Sequence, residues 1–242
     1  MNSSDAPVCL IAGVGPGTGS ECAMRFAAGG YQIAMLARDQ ERLDKLAAEI
    51  DGAKGYVCDV ADLEGLTATV EKVSAEMGAP SVVIHNAVSG VLEGGGASKF
   101  LESDPTRLER NFRVNTTSLL YLARAAAPAM IEAGKGAIII TGNTSAMRGK
   151  ANFAYFAPTK AAQRILAQAM ARDLGPQGVH VAYVLVDAAI DTPRTRPIFA
   201  ADKPDEYFCK PSAIADEIFH VAHQDRSAWS FDVEIRPYGE NW

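Results

Sequence analysis

A phenol and an ammonium stand close together in AYFAPTK, residues 154–160, as Tyr155 and Lys160. Such a pair is suited to proton transfer. An unperturbed phenol keeps its proton to about pH 10, and a neighbouring ammonium stabilises the phenolate and brings that value toward neutrality. The spacing, however, is off by one for a helix. At about 100° per residue, the side chain sharing a face with Lys160 is four positions earlier, about 40° away, and there the sequence has Phe156. Tyr155 falls about 140° away. Phenylalanine has no exchangeable proton. On a regular helix Tyr155 packs against a neighbouring helix or subunit, whereas a helix that starts late would let its hydroxyl enter the site as proton donor.

A second stretch with chemical content is AGVGPGTGS, following a short apolar run. Gly13, Gly15, Gly17 and Gly19 permit a tight turn and close approach of a pyrophosphate to backbone N–H groups at a helix N-terminus. The spacing GxGxxG is absent, because Thr18 and Ser20 stand where its last glycine would be; GxxxGxG fits through Gly13, Gly17 and Gly19. The second apolar run ends at Ala37 with Arg38 next. An acid there would bind the ribose 2′-hydroxyl of NAD, whereas a small residue followed by arginine suits the 2′-phosphate of NADP. NADP(H) is therefore favoured over NAD(H), the alternative for Arg38 being a solvated surface charge. Asp39 lies one residue too far and reads as a helix N-cap.

The elements that must position these groups alternate. Apolar runs at 8–14, 32–37, 54–58, 81–86, 136–141, 179–186 and 230–235 read as strands, mostly continuous rather than alternating in polarity, as in a parallel sheet covered on both faces. Helical patterns fall near 19–29, 40–50, 62–77, 104–133, 153–174 and 211–224. Strand–helix alternation over 1–242, without repeat or linker, predicts one α/β domain: a single Rossmann-type, doubly wound parallel sheet of about seven strands. The glycine-rich segment 89–98 and the proline-rich segment 191–211 follow strands, on the edge where open sheets bind ligands, and the latter is expected to serve as a substrate loop.

Together these features resemble the short-chain dehydrogenase/reductase family over essentially the whole chain. Gly13-x-x-x-Gly17-x-Gly19 looks like its cofactor loop, and CDV places Asp59 where the family contacts adenine. HNAV resembles its Asn-Asn-Ala-Gly stretch, with Asn86 and Ala87 matching and His85 and Val88 departing. Asn115 and Lys160 match its asparagine and lysine, and Ile190 and Thr192 match residues that meet the nicotinamide carboxamide and nearby phosphate. The Pro-Gly usual just before them is Asp187-Ala188 here. The resemblance implies hydride transfer between nicotinamide and a carbonyl or alcohol, with asparagine, serine, tyrosine and lysine as working residues. Two of these match. The tyrosine position is Phe156, and counting back thirteen from it gives Asn143 at the serine position. Asn143 is either a donor to a developing oxyanion or a turn residue bonded to nearby backbone. Asn115 has as its alternative a helix-bending role, Ser145 and Phe156 are expected to line the substrate pocket, and Lys160 is expected to hold the nicotinamide ribose hydroxyls.

The expected function is an NADP(H)-dependent oxidoreductase acting on a small carbonyl, imine or activated substrate with an atypical proton-donor site. The alternative is a protein that binds NADP(H) without redox turnover. A net charge of −6 argues against a broad nucleic-acid surface. Cys9, Cys22, Cys58 and Cys209 are scattered, with no metal-ligand spacing, and read as free thiols suited to a reducing cytoplasm. No membrane span and no signal peptide are expected. His220 and His223 read as an exposed face rather than a metal site, and Lys203 and Asp205 as solvated charges. Tyr207 and Phe208 either close over a substrate or pack the loop down. Alanine-rich helices carrying Asn115 and Lys160 suit a homodimer or homotetramer.

Overall fold

The computed structural model describes residues 6–90, 100–199 and 202–239. Numbered in chain order, β1 (Val8–Ala12), β2 (Gln32–Ala37), β3 (Ala53–Val57), β4 (Pro80–His85), β5 (Gly136–Asn143), β6 (Val179–Val186) and β9 (Asp232–Ile235) form one seven-stranded sheet in the order β3-β2-β1-β4-β5-β6-β9. Every pairing in it is parallel. The chain runs outward from β1 in one direction and outward from β4 in the other. The crevice between their carboxyl ends is thus a topological switch point, where open α/β sheets take ligands. Two further short strands, β7 (Ala189–Ile190) and β8 (Phe208–Cys209), pair with each other.

Continuous apolar strands arise here because both faces are covered. Leu10, Leu36, Val83, Ile138 and Ile140 point to one side, under α3 (Leu63–Met77), α5 (Ser118–Glu132) and α6 (Ala157–Leu174). Ile11, Ile33, Met35, Ile84 and Ile139 point to the other, under α1 (Thr18–Ala28), α2 (Gln40–Glu49) and α8 (Pro211–Ala222). Each fully buried leucine or isoleucine contributes about 1.5–3 kcal/mol, so the two cores fix the sheet and hence the strand ends that carry the site. All four cysteines are buried free thiols. Among the described residues no helix is long and apolar enough to cross a membrane.

Three expectations need correction. The first strand stops at Ala12 rather than at residue 14, because Gly13 turns the chain at φ +97° and the N–H groups of Gly13 and Val14 both donate to Leu36 O. The helix expected over 104–133 divides into α4 (Thr106–Phe112), a wider π turn over Arg113–Thr117, and α5. The helix expected from 153 begins at Ala157, with Phe156 as its N-cap residue. Pro158 is the reason: it lacks an N–H and its ring would meet the carbonyl four residues earlier, so it is accommodated only in a first turn. Of the glycine-rich segment, residues 91–99 lie outside the described residues, as do residues 200 and 201 of the proline-rich one.

Candidate active site

The glycine loop joins β1 to α1, and its glycines have separate reasons. A Cβ on Gly13 would stand 2.5 Å from Ala87 N, and one on Gly19 would stand 2.5 Å from Gly13 O. Gly17, at φ +122°, leaves 2.9 Å between such a Cβ and Thr192 Cγ2. These three are required by the protein's own packing. Gly15 has nothing within 4 Å of the equivalent point and borders a cleft of about 560 Å³. Ser20, which stands where GxGxxG would end, ties the loop instead: Gly17 N donates to Ser20 Oγ at 3.3 Å, and Ser20 Oγ donates to Gly17 O at 3.0 Å. The first N–H groups of α1, on Thr18 and Gly19, have no carbonyl within the helix to accept them and border the same cleft. The Thr18 hydroxyl is buried there without a partner. An open glycine, unengaged helix-terminal donors and an orphan hydroxyl together fit a bound phosphate group.

Asn86 anchors the loop from β4's side. Its Nδ2 donates to Gly13 O at 2.8 Å and its Oδ1 accepts from Thr141 Oγ1 at 3.1 Å, while Ala87 presses on Gly13. At the cleft's other end stand Ala37, Arg38, Arg42 and Asp59. Asp39 caps α2, accepting from Arg42 N at 3.1 Å and pairing with the Arg42 guanidinium at 2.9 Å. Asp59 accepts from Ala61 N at 3.0 Å. Arg42, Arg110 and Arg194 also line the cleft, and none of them was singled out from the sequence. Arg42 was accessible there, in the first turn after a visible cap.

Asn115 sits in the π turn, fully buried. Its Oδ1 accepts from Ser89 N at 2.8 Å, and its Nδ2 donates to Ser89 O at 3.0 Å and to Thr159 Oγ1 at 2.8 Å. It therefore fastens the segment after β4 to the start of α6. Lys160 is 2 % exposed, and its Nζ donates to Thr141 O at 3.1 Å. Burial brings its pKa down from 10.5 to about 7. Phe156 is also buried, with its ring edge-on to Phe153. Tyr155 turns elsewhere. Its hydroxyl donates to Phe100 O at 2.9 Å, and its ring stacks on Phe100. Asn143 spends its Oδ1 on Ser145 N at 3.1 Å, capping a short 3-10 turn, and Ser145 is itself buried. Thus the helix start that was open in the sequence does come late, yet it sends the Tyr155 hydroxyl to backbone carbonyls.

Two buried groups next to this centre were missed. His85, at the end of β4, is fully buried, with Nε2 at 2.8 Å from Ser118 Oγ and Nδ1 at 3.2 Å from Gln163 Nε2. Ser118 Oγ donates its one proton to Val114 O at 2.6 Å, so it must accept from His85, which places the histidine proton on Nε2. Desolvation first, then the charge of Lys160, lower the His85 pKa from 6.5 to about 3. The histidine is a neutral neighbour of the lysine. Tyr183, on β6, lays its ring against Gly142, where a Cβ would overlap Tyr183 Cε1. Its hydroxyl lies buried beside the Asn143 backbone without a well-formed hydrogen bond. Burial pushes its pKa up.

The segment after β6 is ordered by its own contacts. Ile190 pairs with Cys209 across β7 and β8, and Thr192 Oγ1 meets Thr195 Oγ1 at 2.6 Å at the start of α7 (Thr195–Phe199). Ile190 and Thr192 both border the cleft. Phe208 is buried, while Lys203 Nζ stands 5.2 Å from the Tyr207 ring. Asp205, expected to be solvated, is exposed but pairs with Arg196 at 2.8 Å. Among the described residues no group of histidine, cysteine and carboxylate side chains is placed to hold a metal ion.

The family model for short chain dehydrogenases matches residues 7–203. The chain belongs to the short-chain dehydrogenase family. It is 32 % identical over 189 residues to the probable oxidoreductase EphD of Mycobacterium tuberculosis, covering 75 % of this chain and 31 % of that protein. The chain thus spans about a third of the length of that relative. It is 28 % identical over 173 residues to L-xylulose reductase of Mesocricetus auratus, covering 71 % of this chain and 67 % of the reductase. A crystal structure of a short-chain dehydrogenase from Rhodopseudomonas palustris superposes with a TM-score of 0.80 at 29 % identity, over 96 % of this chain and 99 % of the other. A metagenomic short-chain oxidoreductase in complex with NADP shares the fold, with a TM-score of 0.82 at 24 % identity over 99 % of this chain and all of the other. This member of the family carries Phe156 four residues before its buried lysine and Asn143 at the end of β5.

Proposed function

We propose that the protein is an NADP(H)-dependent oxidoreductase that reduces a small carbonyl, imine or otherwise activated substrate without a phenol as proton donor. The observation that carries this reading is the cleft itself. It runs from the open glycine and the helix N-terminus to Arg38 and Arg42, and the one acid at the end of β2, Asp39, is engaged by the helix cap and by Arg42. Two guanidinium groups beside an aspartate already committed to the helix cap suit a 2′-phosphate better than a ribose hydroxyl. The NADP complex of a protein sharing this fold agrees with it.

A bound nicotinamide would supply the hydride. The chain's own residues would hold the dinucleotide at its phosphates through Gly15 and the loop that Gly13, Gly17, Gly19, Asn86 and Ala87 shape, and at its nicotinamide end through Ile190 and Thr192, with Asp59 at the adenine end. Lys160, fixed by Thr141 O and without an acidic partner among the described residues, would turn its remaining donors to the ribose. Asn143 has its Nδ2 left for a developing oxyanion once Oδ1 is committed to Ser145. Asn115 keeps Ser89 and Thr159 in place. Phe156 offers no proton, so the product oxygen or nitrogen takes one from solvent. A substrate such as an iminium ion needs none, since hydride addition already leaves a neutral amine.

A second reading, NADP(H) binding without turnover, draws on one feature: the Tyr155 hydroxyl is spent on Phe100 O and so is not presented to the site. NADPH consumption with ketones, imines and enones separates the two. The reductase reading expects turnover with at least one class and a gain of about 10²–10⁴-fold on ketones in Phe156→Tyr. Tight NADPH binding with no consumption by either protein supports the second. Exposed Leu120 and Tyr121 on α5 and Ile165 on α6 also support self-association, read out by light scattering.

A further inference from the structure

Arg196, in the first turn of α7, forms a fork on Asp191. Its Nε lies 2.5 Å from Asp191 Oδ1 and its Nη2 lies 3.0 Å from Oδ2. The same guanidinium stands 4.2 Å over the Phe208 ring and reaches Asp205 at 2.8 Å. Phe208 is only 5 % exposed, so the plate on which Arg196 rests is itself immobilised, and β8 pairs it with Ala189. Asp191 N adds a hydrogen bond to Cys209 O at 2.8 Å. The residue gripped is therefore the one between Ile190 and Thr192, both on the cleft wall, and Thr192 abuts Gly17 of the glycine loop.

We propose that Arg196 is a positioning residue for the cofactor: by holding Asp191 in a two-point fork over Phe208, it sets Ile190 and Thr192 against the nicotinamide end of the cleft. This rests on the NADP(H) reading above. The fork matters more than the charge, because a planar guanidinium both bonds a carboxylate at two points and stacks on a ring, which an ammonium does neither of as well. Asp205 contributes little, since it is 85 % exposed and singly bonded.

The test uses two ligands on the full chain. NADPH spans both ends of the cleft; 2′,5′-ADP carries only the adenosine and 2′-phosphate end. Titrations of the wild type, Arg196→Ala, Arg196→Lys and Asp205→Asn are compared. Expected are a roughly 10-fold weaker NADPH affinity in Arg196→Ala, a roughly 3-fold loss in Arg196→Lys and no change in Asp205→Asn, with 2′,5′-ADP affinity constant to within about 2-fold throughout. Hydrogen exchange of the backbone at 189–196 should quicken in the same order. Unchanged NADPH affinity in Arg196→Ala, or an equal loss for 2′,5′-ADP, overturns the proposal, the latter by showing a general loosening. Should Arg196→Ala not fold, Arg196→Lys decides by the same comparison. Failure of the wild type to bind either ligand refutes the cofactor reading itself.

Discussion

Lys160 offers the sharpest test of the buried site, because its state couples to folding. In the unfolded chain its amine holds a proton to 10.5, and in the folded protein to about 7. A folded pKa below the unfolded one means that the unfolded state binds more protons through the interval. Stability is then fully present above about 10.5 and is lost as the pH falls, reaching its floor below about 7. At about 1.4 kcal/mol per pKa unit, burying this lysine removes roughly 4–5 kcal/mol between pH 11 and pH 7. Lys160→Met keeps the length and apolar stem and removes the titration, leaving Thr141 O short of one hydrogen bond worth about 1 kcal/mol. Near pH 7 the variant should be the more stable by about 3 kcal/mol. The informative quantity is the stability difference between the two proteins, from urea denaturation at several pH values, since every other titrating group cancels. It should shrink by about 1.4 kcal/mol per pH unit between pH 7.5 and 10. A difference constant with pH would mean that the ammonium is as well solvated in the folded protein as outside it, and the description of the buried centre would be wrong.

Three other outcomes follow from the geometry. Gly15→Ala should leave the thermal midpoint nearly unchanged while weakening NADPH, whereas Gly13→Ala, pressed against Ala87 at a positive φ, should cost more than about 2 kcal/mol in denaturant unfolding. Tyr183→Phe should unfold at equal or higher urea concentration, by up to about 1 kcal/mol, because the hydroxyl it removes lacks a well-formed bond; a loss above about 2 kcal/mol would reveal a partner for it. Arg38→Ala and Arg42→Ala should each weaken NADPH by about 10-fold and NADH hardly at all, measured by fluorescence titration.

The sheet was legible because each central strand is buried on both faces, which writes an unbroken apolar run into the sequence. The glycine loop was legible because backbone reasons leave glycine no substitute at Gly13 and Gly17. The start of α6 was also written, in Pro158, but the spacing of Tyr155, Phe156 and Lys160 invites a helical wheel drawn one turn too early. Other features had no local trace. The π turn at 113–117 accompanies hydrogen bonds donated by Asn115 to Ser89 and Thr159, 26 and 44 residues away. His85 is neutral because burial desolvates its ring and the charge of Lys160 opposes its own, a fact no window around HNAV contains. The segment after Asp191 looked irregular by its prolines, yet it carries a strand that pairs with Ala189–Ile190 and an ion-paired arginine whose carboxylate lies five residues back.

The contact between Gly17 and Thr192 bears on how the molecule comes into being. One wall of the cleft is built from the turn between the first strand and first helix, and the wall facing it from residues that follow the sixth strand. A nascent chain that has just finished its first strand and helix therefore has a phosphate-ready turn with nothing opposite. If the cleft binds NADP(H) as proposed, the contact of Thr192 with the glycine loop means that nucleotide stabilises chains in which both walls are already in place.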